Sequence, residues 1–193
     1  MIFASNNKDK IKQVKEYLGN NVYGLREYGI DIDVVEDAET FEGNAIKKAQ
    51  EIYNLTKQPV VADDSGLSIK EFDGWPGVYT HRFLGDNASS SDRNKYILEK
   101  MKDLPLEKRD CAVVCVLAYI DEKGKLYTFK GEFKCKIAFK EEGNNFFGFD
   151  SIVYCDNSYT KTLAHLTDKQ KLSINARGLA LEKLKDFMNK QNS

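Results

Sequence analysis

Histidine and proline are scarce in this sequence, and each scarcity excludes something. The two histidines, His81 and His165, stand far apart, so no histidine-rich metal centre can be assembled from local spacing. The four cysteines, Cys111, Cys115, Cys135 and Cys155, contain no Cys-x-x-Cys pair. They read as reduced thiols packed in a core, not as a zinc site or a disulfide framework. The only prolines are Pro59, Pro76 and Pro105, and no repeat or low-complexity segment interrupts the chain. A single domain over residues 1–193 is the expectation. Neither sign of charge dominates: 29 Lys and Arg face 30 Asp and Glu, a net charge of −1. That removes any global electrostatic argument for a nucleic-acid or membrane partner. The longest apolar run, Cys111 to Ile120, is far short of the roughly 20 residues of a membrane span. Only Met1 to Ala4 precede the first polar cluster, so no secretory signal core and a cytoplasmic location are expected.

What is present is ordinary globular material, 41% apolar and 31% charged. Ile2 to Ser5 reads as a short strand. Asn7 can cap a helix from Lys8 to Leu18, with Ile11, Val14 and Leu18 on one face. Asp31 to Val35 reads as a strand. Thr40 can cap a second helix to about Leu55, with Phe41, Ala45, Ala49 and Ile52 as its apolar stripe. Val60 to Ala62 reads as a buried strand that ends in the polar turn Asp63-Asp64-Ser65-Gly66. Ser91 or Asp92 can cap a third helix. Cys111 to Ile120, Leu126 to Phe133 and Lys134 to Phe139 read as strands, the first two joined by a turn at Asp121-Glu122-Lys123-Gly124. Phe149 to Tyr154 reads as a further strand and Leu179 to Met188 as a closing helix. Helices at both ends and strands between indicate an α/β domain whose strands near residues 2 and 60 are parallel.

Four clusters carry chemistry. The run from Ser5 to Lys10 sits at a helix N-terminus, whose unpaired N–H groups and positive dipole end suit phosphate; the plainer reading is a helix cap with solvated lysines. No glycine-rich phosphate loop is present. Asp63 and Asp64 stand where an apolar strand ends, the place where open α/β sheets bind ligands. Such carboxylates can hold Mg²⁺ or orient a water, and their mutual repulsion raises one pKa in the absence of a cation. Asn44 and Lys48 share a helix face; alone they read as a solvated edge. Phe146-Phe147-Gly148-Phe149-Asp150 offers aromatic faces for a flat base and a carboxylate for its N–H groups; alone it reads as a strand with core phenylalanines.

In this order and spacing the clusters resemble the Ham1/RdgB-like inosine triphosphate pyrophosphatase family. The resemblance is carried by Thr40-Phe41, Asn44-Ala45, Lys48-Ala49, Ala62 to Leu67, Pro76 to Tyr79 with Arg82-Phe83, Phe147 to Asp150, and Lys171, Ile174, Arg177 and Gly178. It implies an elongated mixed α/β sheet flanked by helices, with a nucleotide cleft between two lobes, and a homodimer. It implies Mg²⁺-dependent hydrolysis of ITP, dITP and XTP to the monophosphate and pyrophosphate, which cleanses the nucleotide pool. Ser5, Asn7 and Lys10 would hold the triphosphate, with Lys48 assisting. Asp64 would be the general base or a metal ligand, Ser65 a nucleotide contact, and Phe147, Gly148, Phe149, Asp150, Lys171 and Arg177 the base pocket. The second metal acid falls in Glu36 to Glu39; Glu36 is preferred.

The departures lie near the base. Where the family reads Ser-His-Arg-Gly, this chain has Asn175-Ala176-Arg177-Gly178; where it reads Tyr-Asp-Pro, this chain has Phe149-Asp150-Ser151, without a hydroxyl and a rigid turn. His81 stands where the family often has a small residue and reads as a surface histidine before it reads as a pocket imidazole. Rival readings are the same reaction on a different or relaxed base, a non-catalytic nucleotide binder, and, more distantly, a single-stranded nucleic-acid binder that stacks bases on its phenylalanines.

Overall fold

A computed structural model describes residues 1–191 apart from residue 86. Helix punctuation is where the chain follows its local chemistry most closely. Asn7 is extended, and its side-chain oxygen accepts from the backbone N–H of Asp9 (3.0 Å) and Lys10 (3.1 Å), so helix α1 spans Lys8–Leu18. Thr40 accepts from Gly43 N at 3.0 Å and starts α2, Phe41–Thr56, whose Ala45, Ala49 and Ile52 are buried. The third helix, α3 (Ser90–Lys100), begins earlier than Ser91 or Asp92 would place it. Ser89 and Asp92 form a reciprocal capping box, which fixes Ser89 as the cap. Two further helices follow, α4 (Asp168–Ile174) and α5 (Ala176–Gln191). The first was not expected. The second begins three residues before Leu179, where the apolar spacing of the sequence starts it.

Five strands form one mixed sheet in the order β2-β1-β3-β4-β5. They are β1 (Ile2–Phe3), β2 (Tyr23–Gly24), β3 (Val60–Ile69), β4 (Asp110–Ile120) and β5 (Leu126–Lys136). β1 pairs in parallel with both β2 and β3, Ile2 lying opposite Tyr23 and Val60. Gly124 N donates to Asp121 O and Asp121 N to Lys125 O, both at 3.0 Å, closing the β4–β5 hairpin at the expected turn.

Four strand expectations fail. Residues 31–35 alternate in exposure as a strand would but have no strand partner among the described residues, and Val35 stays exposed. Leu126 to Phe133 and Lys134 to Phe139 are one strand that ends at Lys136. Phe149 to Tyr154 is a succession of tight turns, Ile152 N and Val153 N both donating to Phe149 O, with bridges only at Val153 and Tyr154. β3 does not end at Ala62; it runs on through Asp63, Asp64 and Ser65, because burial on both sides overrides the turn chemistry of Asp-Asp-Ser-Gly.

Contacts divide the chain into two compact units. The first comprises Met1–Ser65, Cys115–Gly131 and the chain from Ala176 onward; the second comprises Gly66–Val114 and Glu132–Asn175. In the first, α1 packs against α5, and Val14, Phe3 and Val61 are fully buried. Gly131 lets the start of α5 approach β5: a Cβ there would lie 1.9 Å from Ala176 O and 2.7 Å from Ala180 N, so only glycine fits. In the second, Leu67, Ile97, Ile137 and Ile152 centre the core. The cysteines are free thiols, and burial pushes Cys111 and Cys115 far above the range of a reactive thiol, in keeping with an inert core role.

Candidate active site

Adjacent residues in a strand point to opposite faces, so Asp63 and Asp64 do not form a side-by-side carboxylate pair. Each has its own partners within the first unit. Asp63 is 1% exposed and is bonded by two cations: Lys10 Nζ reaches its carboxylate oxygens at 3.1 and 3.2 Å, and Arg177 Nη2 reaches Oδ2 at 2.8 Å. Arg177 is fixed further by Gln13 Oε1 at 2.9 Å and Ser65 Oγ at 3.2 Å. Asp64 is 4% exposed and meets neutral groups: Asn44 Nδ2 donates to Oδ2 at 2.9 Å, and the backbone N–H of Ser65 to Oδ1, also at 2.9 Å. Each Asp64 oxygen therefore keeps a lone pair for another ligand.

Lys48 links the acids. It lies on the same buried turn of α2 as Asn44 and is ion-paired with Glu36. Asn44 and Lys48 are thus not the solvated edge that spacing alone implies. Asn44 also binds Ala38 N at 2.9 Å, tying the loop that carries Glu36 to the helix. Glu36 is the acid brought to this cluster, whereas Glu39 is exposed.

The electrostatics follow from these partners. Burial alone would raise the Asp63 carboxyl, but Lys10, Arg177 and Lys48 outweigh it and hold Asp63 well below the usual carboxylate range. For Asp64 burial wins: its pKa is pushed up to about 6, against the pull of Lys48 and Asn44 and with Glu36 and Asp63 adding to the rise. The repulsion read from the sequence is present, but burial is the larger cause. For Lys48 the order reverses: burial disfavours its charge, yet Asp63, Glu36 and Asp64 keep its pKa raised. Three cations thus serve three carboxylates, and Asp64 is the one left under-compensated.

At the start of α1 the helix cap of the plainer reading is formed, but only one of the two lysines is solvated. Asn7 Oδ1 is used as the helix cap, and Ser5 Oγ accepts from Asn7 N at 3.1 Å. Lys10 is turned toward Asp63, whereas Lys8 is exposed.

The remaining predicted residues gather in the second unit. Gly148 has a φ of +56°, a conformation that favours glycine, and turns the chain between Phe147 and Phe149. Phe147 and Phe149 are half-buried, the latter against the unit's core, and Phe146 is exposed. Asp150 Oδ2 is 2.8 Å from Lys171 Nζ, which also donates to Asn145 O at 3.1 Å. Lys171 is presented by α4, whose Thr167-x-x-Gln170 capping box was a legible but unread signal. Ser151 is 2% exposed; its hydroxyl accepts from Asn94 Nδ2 at 3.0 Å and donates to Glu141 Oε1 at 3.2 Å, so this stretch is held by hydrogen bonds where a proline would hold it by its ring. His81 is exposed and Ala176 is buried. The partners that sequence reading did not bring to these sites are Gln13 and Asn94, for which spacing offers no signal.

Known proteins are similar to this chain over nearly its whole length. The Ham1 family model matches residues 1–187. A dITP/XTP pyrophosphatase of Clostridium perfringens is 41% identical over 194 residues, covering 96% of this chain and 95% of that protein. One from Geobacter sulfurreducens is 36% identical, with 97% and 96% covered. The Ham1 protein of Staphylococcus aureus superposes with a TM-score of 0.87 at 34% identity, covering 98% of both chains. From the match along its length, and from the fold it shares with these structures, the chain is a member of the Ham1 family.

Proposed function

We propose that the chain hydrolyses non-canonical purine nucleoside triphosphates (dITP, ITP and XTP) to the monophosphate and pyrophosphate. The observation that carries this reading is Asp64: a buried carboxyl raised to about 6, in the middle of a strand, with a lysine and a second acid beside it. A group so placed is short of a cation and poised to take a proton near neutrality. The names of the relatives supply the substrate class.

Mg²⁺ fits the donor set. Among the described residues no three His, Cys, Asp or Glu side chains group to cage a metal unaided. Glu36 and Asp64 offer hard oxygens only, and Mg²⁺ is commonly held by one or two carboxylates together with substrate phosphates. When bound there, Mg²⁺ would offset charge on the triphosphate and on the departing pyrophosphate. The protein's own groups do the rest. Lys48, held by Glu36, stands ready to pass to a phosphate oxygen. Lys10, anchored on Asp63, with Ser5 and Asn7, orients the phosphates, Ser65 meets the nucleotide, and Arg177 keeps the base-pocket role that the resemblance implies. Asp64 receives the proton of the attacking water, whose oxygen bonds to the α-phosphorus as the bond to the β-bridging oxygen breaks. Phe147 and Phe149 give faces to the base, Gly148 turns the chain between them, and Asp150 with Lys171 meets its polar edge.

The reading includes one catalytic domain over residues 1–193, a homodimer and a cytoplasmic location. The single domain rests on the absence of a linker or repeat in the sequence and the homodimer on family resemblance; no described helix is long and apolar enough to cross a membrane. A second reading keeps the chemistry and changes the base, favoured by the buried Ala176 methyl at a position where the family carries an imidazole. Pyrophosphate release from a panel of dITP, ITP, XTP and the canonical triphosphates, with Mg²⁺ and with EDTA, tests both. The expected result is Mg²⁺-dependent release with kcat/KM for dITP and XTP at least about tenfold above the canonical nucleotides. Preference for another base moves the specificity but keeps the chemistry; no release from any nucleotide contradicts the proposal.

A further inference from the structure

The Phe147–Asp150 turn is gripped from behind by a residue the mechanism does not use. Asn94 lies on α3, is 2% exposed, and its Nδ2 faces three acceptors: Gly148 O at 3.1 Å, Ser151 Oγ at 3.0 Å and Glu141 Oε1 at 3.3 Å. Ser151 closes the network by donating to the same Glu141 oxygen. One amide therefore holds the carbonyl at the centre of the turn and the residue that follows it. The platform is itself fixed. Arg93, the neighbour of Asn94, donates to the carbonyls of His81, Phe83, Gly85 and Ala88 and anchors the start of α3.

Stability alone is a poor account of Asn94. Its Oδ1 is buried and receives no hydrogen bond among the described residues. An unmet buried acceptor is a net cost to the fold, which an apolar side chain of the same shape would avoid. What Asn94 supplies in return is placement. Gly148, in its left-handed conformation, has no side chain of its own to restrain it, and Phe147, Phe149 and Asp150 take their positions from it. A base held between an aromatic face and a carboxylate is discriminated by where those groups stand, and slack in the turn loosens that discrimination.

We propose that Asn94, acting with Ser151 and Glu141, is a positioning group that fixes the Phe147–Asp150 turn and so sets affinity and selectivity for the base. The proposal rests on the substrate reading above, and the test separates the two. Asn94→Leu keeps the shape and removes the amide; Ser151→Ala removes one branch; Ser151→Thr keeps a hydroxyl. For each, kcat and KM are measured with dITP and dGTP, dITP binding is measured by calorimetry, and the urea midpoint checks folding. Asn94→Leu is expected to raise KM and the dissociation constant for dITP about fivefold, to leave kcat within about twofold, and to narrow the dITP-to-dGTP ratio of kcat/KM. Ser151→Ala should move the same quantities less, and Ser151→Thr should restore them. Folded Asn94→Leu or Ser151→Ala with unchanged KM and selectivity overturns the proposal, as does a fall in kcat with KM unchanged. If Asn94→Leu does not fold, Ser151→Ala decides. If the wild type binds dITP without turnover, the substrate reading fails and the binding series alone judges the network; a wild type that does neither overturns both.

Discussion

Asp64→Asn is expected to lower turnover of dITP about a thousandfold while leaving nucleotide binding nearly intact and making the metal-free protein more stable. The loss follows from removing both the proton acceptor and a charged oxygen for Mg²⁺. The gain follows from the carboxyl's raised pKa. In the unfolded chain Asp64 titrates near 3.8 and in the fold near 6, so between those values the native state holds a proton that the unfolded state has released. Stability is therefore lost as pH rises through that window, by about 3 kcal/mol at neutrality, and a neutral asparagine avoids the loss. The same titration predicts the pH profile of the wild type. Mg²⁺ competes with the proton on Asp64, so kcat/KM at limiting Mg²⁺ should fall about tenfold per pH unit below 6. Turnover, calorimetric binding and metal-free urea midpoints at pH 7 check each part. Undiminished turnover would remove Asp64 from the chemistry.

Asp63→Asn, one residue away, is expected to do the opposite to the fold. Its carboxylate is held well below the usual range by Lys10, Arg177 and Lys48, despite burial. Its contribution is present above the unfolded value of 3.8 and is lost only as pH falls through the depressed folded value. Replacing it leaves the buried Arg177 and the half-buried Lys10 without their counter-ion, which costs about 3–5 kcal/mol. For a chain of this size that lowers Tm by about 10 °C, measurable by scanning calorimetry. A Tm change below about 2 °C would show that the cations find other partners and that Asp63 is not the hub of the cluster. Two adjacent aspartates thus carry opposite expectations because the strand turns them to different neighbours: Asp63 to cations, Asp64 to an amide and a backbone N–H.

That difference was not legible in the sequence. Asp63-Asp64-Ser65-Gly66 looks like a turn by local preference, and only the burial of β3 keeps it extended. Local chemistry was read correctly where it is self-contained: Asn7 and Thr40 cap the helices they precede because each side chain meets N–H groups within three residues. It was read wrongly where a distant partner decides. The alternation at residues 31–35 finds no strand to pair with among the described residues, and the phenylalanines near 149, strand-like in sequence, belong to turns whose hydrogen bonds run to Asn94, more than fifty residues away. The Asn44–Lys48 pair shows the converse. Helical spacing put the two on one face, but that the face is buried against Asp64 and Glu36 is a tertiary fact. Gln13 fixes Arg177 across 164 residues of sequence, and no pattern announces such a contact.

The central claim is that water attacks the α-phosphorus with Asp64 as proton acceptor and expels pyrophosphate intact. Hydrolysis of dITP in ¹⁸O-enriched water, followed by mass analysis of both products, tests it directly. One ¹⁸O in the monophosphate and none in the pyrophosphate is the predicted result. Label in pyrophosphate, or release of orthophosphate in its place, would put the attack at another phosphorus and contradict the account.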